Sequence, residues 1–237
     1  MYEVGRAGSY VSGQRWRRLG TGALYTAGAV AGGAACLGGV AGAVLTSTPP
    51  LRVGAVVLAL GSAGLTAWLV RQARAAFTRA RQAAIGATSE REVRRAVRRT
   101  ASIAAAYGLM LGDRGGDCDV VVFTRTGGAA AIEVKTGHGA VWVERGALMV
   151  GRRALRKNPA GQAAHQARRL SGRLNRRAVL AVVCIPGMTN RPFTTDNGVW
   201  VCGAGDLTQV LDRAPKVFTS IADAEDTMRR LWAAAPA

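Results

Sequence analysis

Lysine is nearly absent from this chain. Of its 32 basic residues only Lys135, Lys157 and Lys216 are lysines, and the rest are arginines. Acids are scarce too, 14 in 237 residues, and none lies between Glu3 and Glu90. Histidine occurs only at 138 and 165, and Cys36, Cys118, Cys184 and Cys202 form no C-x-x-C pair. That spacing excludes the usual zinc sites, so the cysteines read as small buried hydrophobes in a reducing compartment. The formal net charge of +18 implies a polyanionic partner, either nucleic acid or an anionic membrane surface. General basic drift in an Arg- and Ala-rich proteome is the competing explanation. Where a basic group only had to be charged, this sequence used Arg. A Lys that persists points to a position needing a compact, titratable ammonium.

Charge is missing altogether from two long stretches. Residues 1–19 read as a basic cytoplasmic tail, after which 20–46 is uncharged and long enough to span a hydrocarbon core. Thr48-Pro49-Pro50 interrupts it, Arg52 follows, and 53–70 is again free of charge. The two spans predict a transmembrane hairpin over 20–71. Basic residues flank its outer ends, which puts both termini on the cytoplasmic side of the inner or plasma membrane. Gly28/Gly32 and Gly38/Gly42 sit at a spacing that permits close helix packing, within the hairpin or in a homo-oligomer. A signal peptide is the main rival for the first span, though the run is too long for an h-region and a second span follows at once. A buried helical hairpin of a soluble protein is the other alternative.

Residues 72–86 read as a basic linker helix. Thr88-Ser89-Glu90-Arg91-Glu92 then predicts a new helix start, with Val93, Val97 and Ile103 recurring on one face. The period changes after Tyr107. Residues 112–116 predict a loop, 117–124 a strand, Thr126-Gly127-Gly128 a turn and 129–135 a second strand. Another hairpin follows at 140–150, then a helix at 161–177 and a fully apolar strand at 179–185. A strand at 198–202 and helices at 206–211 and 222–232 complete the pattern. This order predicts an α/β domain with a mixed sheet flanked by helices, over 87–213, and a helical tail over 214–237.

If the turn is Thr126-Gly127-Gly128, Val121 falls opposite Glu133 and Asp119 opposite Lys135, so Asp119, Glu133 and Lys135 share one sheet face. Their neighbours Val120, Val122, Ile132 and Val134 read as core. Charges beside a core are costly unless paired or bound to metal. Two facing carboxylates repel, and a divalent cation relieves the repulsion. Mg²⁺ prefers such oxygen donors together with water and phosphate. A nearby ammonium orients water and stabilises charge on a phosphate. A simple Glu133–Lys135 or Asp119–Lys135 ion pair is the plainer reading, and Asp117 competes with Asp119 on the same strand.

The stretches Ser89–Val93, Asp117-Cys118-Asp119-Val120-Val121-Val122, Ala131-Ile132-Glu133-Val134-Lys135-Thr136-Gly137-His138-Gly139 and Asn158-Pro159-Ala160-Gly161-Gln162 resemble the nuclease-related domain (NERD) of the PD-(D/E)xK restriction-endonuclease-like superfamily, over roughly 85–213. The resemblance implies a restriction-endonuclease-like fold. It also implies metal-binding carboxylates at Asp119 and Glu133, a catalytic lysine at Lys135, a first-helix glutamate at Glu90 and a helix glutamine at Gln162. The cofactor it implies is Mg²⁺, with Mn²⁺ as a substitute.

Arginine is dense around these positions. Arg91, Arg94, Arg95, Arg98 and Arg99 suit either nucleic acid or an anionic leaflet. Arg152, Arg153, Arg156 and Lys157, with Arg168 and Arg169, suit phosphate contacts to nucleic acid, DNA ahead of RNA. Trp142 and Trp200 read as strand core. The expectation is a membrane-anchored, metal-dependent nuclease, with the lipid bilayer as its second partner. The alternative is a non-catalytic nucleic-acid-binding or scaffold module at the membrane that keeps the nuclease-like fold.

Overall fold

The computed structural model describes residues 1–5, 9–100, 102–111, 117–175 and 177–235, without the side chains of 9–14. The expected loop at 112–116 and Arg176 lie outside the described residues. In chain order the elements are β1 (Tyr2–Val4), α1 (Ser9–Leu45), α2 (Pro49–Arg99), β2 (Ser102–Met110), β3 (Asp117–Thr124), β4 (Ala129–Val134), β5 (His138–Gly139), β6 (Val141–Glu144), β7 (Ala147–Val150), β8 (Arg153–Ala154), α3 (Pro159–Arg173), β9 (Leu180–Cys184), β10 (Gly187–Met188), β11 (Phe193–Thr194), β12 (Trp200–Cys202), α4 (Leu207–Leu211) and α5 (Ile221–Ala233). They form two compact units. One is 10–85, and the other joins 1–9 to 86–237.

The first unit is an antiparallel pair of helices, both long and apolar enough to cross a membrane. Thr46 and Arg52 close the turn: the Thr46 hydroxyl donates to Gly42 O (2.6 Å) and the Arg52 Nε to Thr46 O (2.7 Å). Pro49 opens α2, where its fixed φ fits and its missing N–H costs nothing. The glycines of α1 let the helices approach. A Cβ on Gly32 would stand 2.6 Å from Thr66 Oγ1, and one on Gly39 would stand 2.9 Å from Ala59 N and 3.0 Å from Ala55 O. Gly28 and Gly32 therefore pack against α2 of the same chain. The large apolar side chains point outward, with Leu24 76%, Leu37 73% and Val44 73% exposed, while the buried ones are alanines such as Ala29 and Ala59. A soluble buried hairpin would show the reverse. Gly39→Leu should lower the apparent melting temperature of this unit in detergent, by overpacking worth about 1–3 kcal/mol. Gly33→Leu should leave it unchanged, since a Cβ there meets nothing within 4 Å.

The second unit is built on a mixed seven-stranded sheet in the order β1-β2-β3-β4-β9-β12-β11. Strands β4, β9 and β12 run parallel, with α3 as the crossover from β4 to β9. On one face Val93, Ala96 and Val97 of α2 and Leu207, Val210 and Leu211 of α4 cover Val120, Val122, Ile132 and Val134. On the other, Ala167 and Leu170 of α3 and Ala224, Met228 and Leu231 of α5 cover Val121, Phe123, Ala129 and Ala131. The mixed sheet flanked by helices is the fold class expected from the sequence. A separate small sheet, β6-β7-β8, packs beside it.

Four local expectations need correction. Helix α2 is unbroken to Arg99, so Ser89 caps nothing; residues 82–87 are already helical. Ile103 belongs to β2, not to a helix face. The Ala104-Ala105-Ala106 run favours helix by propensity, but all three are fully buried in the sheet, where small side chains fit. Tyr2–Val4 are not part of a free tail. They pair parallel with β2, and the Glu3 carboxylate takes hydrogen bonds from Arg94 (2.7 Å) and Arg98 (2.8 Å). Arg98 first, and then Arg94, pull the Glu3 carboxyl down to about 2 against its burial. The described part of the helical tail, 214–235, is not an appendage either: Phe218 packs on Phe123 with ring centroids 4.4 Å apart and the rings tilted by 50°, and α5 closes one sheet face.

Candidate metal centre and nucleic-acid interface

The β3–β4 hairpin sets the site. Thr124 N donates to Gly128 O and Gly127 N to Thr124 O, so the loop is the three residues Arg125-Thr126-Gly127. Gly127 has φ +84°, and a Cβ there would stand 2.3 Å from Phe218 O, so only glycine fits. The loop has the expected length but begins one residue earlier than expected. Every pair therefore shifts by two: Val121 faces Ala131 and Val120 faces Ile132. Continuing that register sets Asp119 across from Glu133 rather than from Lys135. A two-residue shift preserves the face, so the convergence survives the error.

Asp119 Oδ2 accepts from Val134 N at 2.7 Å. Glu133 is a buried acid, 4% exposed. One of its carboxylate oxygens takes the Lys135 ammonium, and the other takes Gln166 Nε2 at 2.7 Å. Burial, first, and the Glu133 charge, second, push the Asp119 carboxyl up to about 7; the Val134 N–H and Lys135 oppose that shift. Glu90 adds to it, so this residue of α2 lies within electrostatic reach of Asp119. Asp117 is exposed, which leaves Asp119 as the carboxylate beside Glu133.

The helix glutamine that touches Glu133 is Gln166. Its Nε2 also donates to Asp117 O at 3.1 Å, tying α3 to the start of β3 and the end of β4. Gln162 lies one turn earlier on α3. Residues four apart share a helix face, a relation that could have marked Gln166 from the sequence. The side-chain carbonyls of Gln162 and Gln166 are both buried with no hydrogen-bond partner among the described residues. Gln166→Leu should leave a Glu133 oxygen unsatisfied, at a cost of about 1–3 kcal/mol in thermal unfolding of the full chain.

Among the described residues no group of three His, Cys, Asp or Glu is arranged to hold a metal. Mg²⁺ does not require one, because one or two carboxylates plus waters and substrate phosphate are its usual shell. The paired acids and the raised Asp119 fit a hard divalent cation, which would remove their repulsion.

Several arginines are committed to structure. Arg94 lies over the Tyr107 ring at 4.9 Å and binds Glu3 with Arg98, while Arg177 donates to Val217 O at 2.6 Å. Arg152, Arg153, Arg156, Lys157 and Arg168 are exposed, and Arg169 is half-buried. A cavity of about 560 Å³ beside α2 is lined by Glu92, Arg95, Arg98, Arg99 and Ala204, giving a second basic surface.

No curated protein and no solved structure matches this chain. Residues 85–186, just under half of its length, hold Glu90, Asp119, Glu133, Lys135, Gln162 and Gln166, and match the family model of the nuclease-related domain, NERD.

Proposed function

We propose that the sheet unit is a divalent-metal-dependent nuclease acting on nucleic-acid phosphodiesters, held at a membrane by the helical hairpin. The observation that carries this reading is the meeting of Asp119, Glu133 and Lys135 on adjacent strand ends, with Asp119 raised to about 7. Asp119 and Glu133 would hold Mg²⁺ or Mn²⁺, which would supply charge neutralisation at the phosphate and a more acidic bound water. Gln166 fixes the orientation of the Glu133 carboxylate, and Glu90 adds negative charge on the α2 side. The Lys135 ammonium positions the attacking water and stabilises charge building on the phosphate oxygens. Water gives up one proton to solvent as its oxygen bonds to phosphorus, the P–O bond to the leaving sugar breaks, and the departing oxygen takes up a proton. Gln162, the glutamine implied by the family resemblance, offers a buried carbonyl to the same helix face.

Arg15, Arg17 and Arg18 precede the first apolar span, and Arg71, Arg74, Arg79 and Arg81 follow the second, while the turn carries only Arg52. This asymmetry supports a cytoplasmic sheet unit. The exposed arginines support DNA or RNA as substrate, with the bilayer as the second partner.

One observation favours a second reading, a binding module without catalysis: both Glu133 oxygens are already satisfied by Lys135 and Gln166. Titrating Mg²⁺ into the purified full chain with labelled DNA and RNA, against a chelator control, separates the two. Saturable metal-dependent cleavage supports the nuclease. Binding without cleavage at every metal concentration supports the module.

A further inference from the structure

The small sheet carries an aromatic platform. Trp142 pairs with Met149, and Met149 with Ala154, so one residue from each of β6, β7 and β8 forms a row on one face. Trp142 was expected in the strand core, yet it is 40% exposed. The opposite face is anchored: Val141 and Leu148 are buried against Ala160 and Ala163 of α3 and Val183 and Ile185. The outward row of Trp142, Met149 and Ala154 is therefore apolar and open on a sheet packed from its other side, an arrangement that marks an interaction surface.

Its surroundings identify the occupant. Arg152 sits in the β7–β8 turn, at the end of the sheet where Val141 pairs with Val150, one residue from Trp142, while Arg153 pairs with Val150 and so lies at that end on the face of Val141. Arg156 and Lys157 follow, all four are exposed, and none has an ion-pair partner among the described residues. Glu144, on the Trp142 face, lies at the far end of β6 and closes that direction to a polyanion. The platform is also tied to the candidate centre. Gly137 is two residues beyond Lys135, and a Cβ on it would stand 3.1 Å from Val150 of β7.

We propose that this face binds single-stranded nucleic acid, with a base stacked on Trp142 and the adjoining phosphate on Arg152 in the turn. An unpaired base offers a free π-face, whereas a base inside a duplex is already stacked on both sides. This rests on the nuclease reading and gives it a substrate class, single strands or unpaired ends.

The test uses the full chain in nanodiscs of neutral lipid, with chelator present so that nothing is cleaved. A fluorescent twenty-nucleotide oligodeoxythymidine is compared with a duplex of the same length by anisotropy. Trp142→Ala should weaken single-strand binding about 5- to 150-fold, the range for one stacked base, with duplex binding held within about twofold. Trp142→Phe should restore most of the loss. Replacing Arg152 by Ala should lower the salt slope of single-strand binding by about 0.7, the value for one phosphate. Unchanged single-strand binding in Trp142→Ala overturns the proposal, as does an equal loss on duplex. Loss of binding to phosphatidylserine vesicles alone also overturns it, by making the face a membrane contact. Because binding is read without cleavage, an inactive protein that still loses single-strand affinity refutes the nuclease reading and leaves the platform standing.

Discussion

Glu133→Ala, Asp119→Ala and Lys135→Ala should each reduce metal-dependent cleavage by about 10³-fold or more, the scale on which pre-organised charge acts in phosphoryl transfer. The three should fail differently. Asp119→Ala and Glu133→Ala remove carboxylates proposed to hold the metal, so metal binding followed by calorimetry should fall with activity. Lys135→Ala should keep much of the metal affinity while losing turnover, since its ammonium acts on water and phosphate. Alanine at 133 also leaves one of the two Gln166 Nε2 hydrogens without its acceptor, the other staying on Asp117 O, so Glu133→Gln is the companion variant that keeps an acceptor for that donor. Full cleavage by a folded Glu133→Gln protein removes the basis of the nuclease reading.

Asp119→Asn should stabilise the metal-free sheet unit, and the gain should depend on pH. The Asp119 carboxyl titrates near 3.8 as an ordinary group and at about 7 in the fold. Between those values the folded chain holds a proton that the unfolded chain has released. Stability therefore falls as pH rises through that window, and the full penalty applies above about 7. A shift of this size is worth at most about 4 kcal/mol at 1.36 kcal/mol per unit. Unfolding of wild type and Asp119→Asn should coincide near pH 3.5 and separate progressively up to pH 8. Mg²⁺ should narrow the gap by stabilising only the wild type, with an affinity that rises with pH to about 7 as the proton ceases to compete. A pH-independent difference would assign the effect to packing instead.

What the sequence made legible follows from parity. Alternation along a strand and the three-residue turn length were enough to place Asp119, Glu133 and Lys135 on one face. The register itself was not readable, because Thr126-Gly127-Gly128 contains two glycines and only the contact of Gly127 with Phe218, some ninety residues later, selects which one takes the left-handed position. Long-range packing likewise decided β2. Its alanines favour a helix locally, and only burial between neighbouring strands overrides that preference. Gln162 completes the Asn158-Pro159 stretch that resembles the family, whereas Gln166 is marked only by its contact with Glu133. Trp142 lies on the open face rather than in the strand core because alternation does not say which face of a two-sided hairpin is covered.

Strand β1 has a topological consequence. Tyr2–Val4 pair with Ala104–Ala106 in one sheet, and Glu3 is held by Arg94 and Arg98, so the two ends of the helical hairpin belong to a single folded body. A body of that kind cannot be divided by a bilayer. The intervening chain must cross an even number of times, and if α1 goes through, α2 must return. Cleavage after the first span, as a signal peptidase would perform, would strip an edge strand from a sheet that closes only after the ribosome has passed it by a hundred residues. Tyr2–Val4 thus wait for the later strands, and the sheet is completed only when the hairpin has brought the chain back.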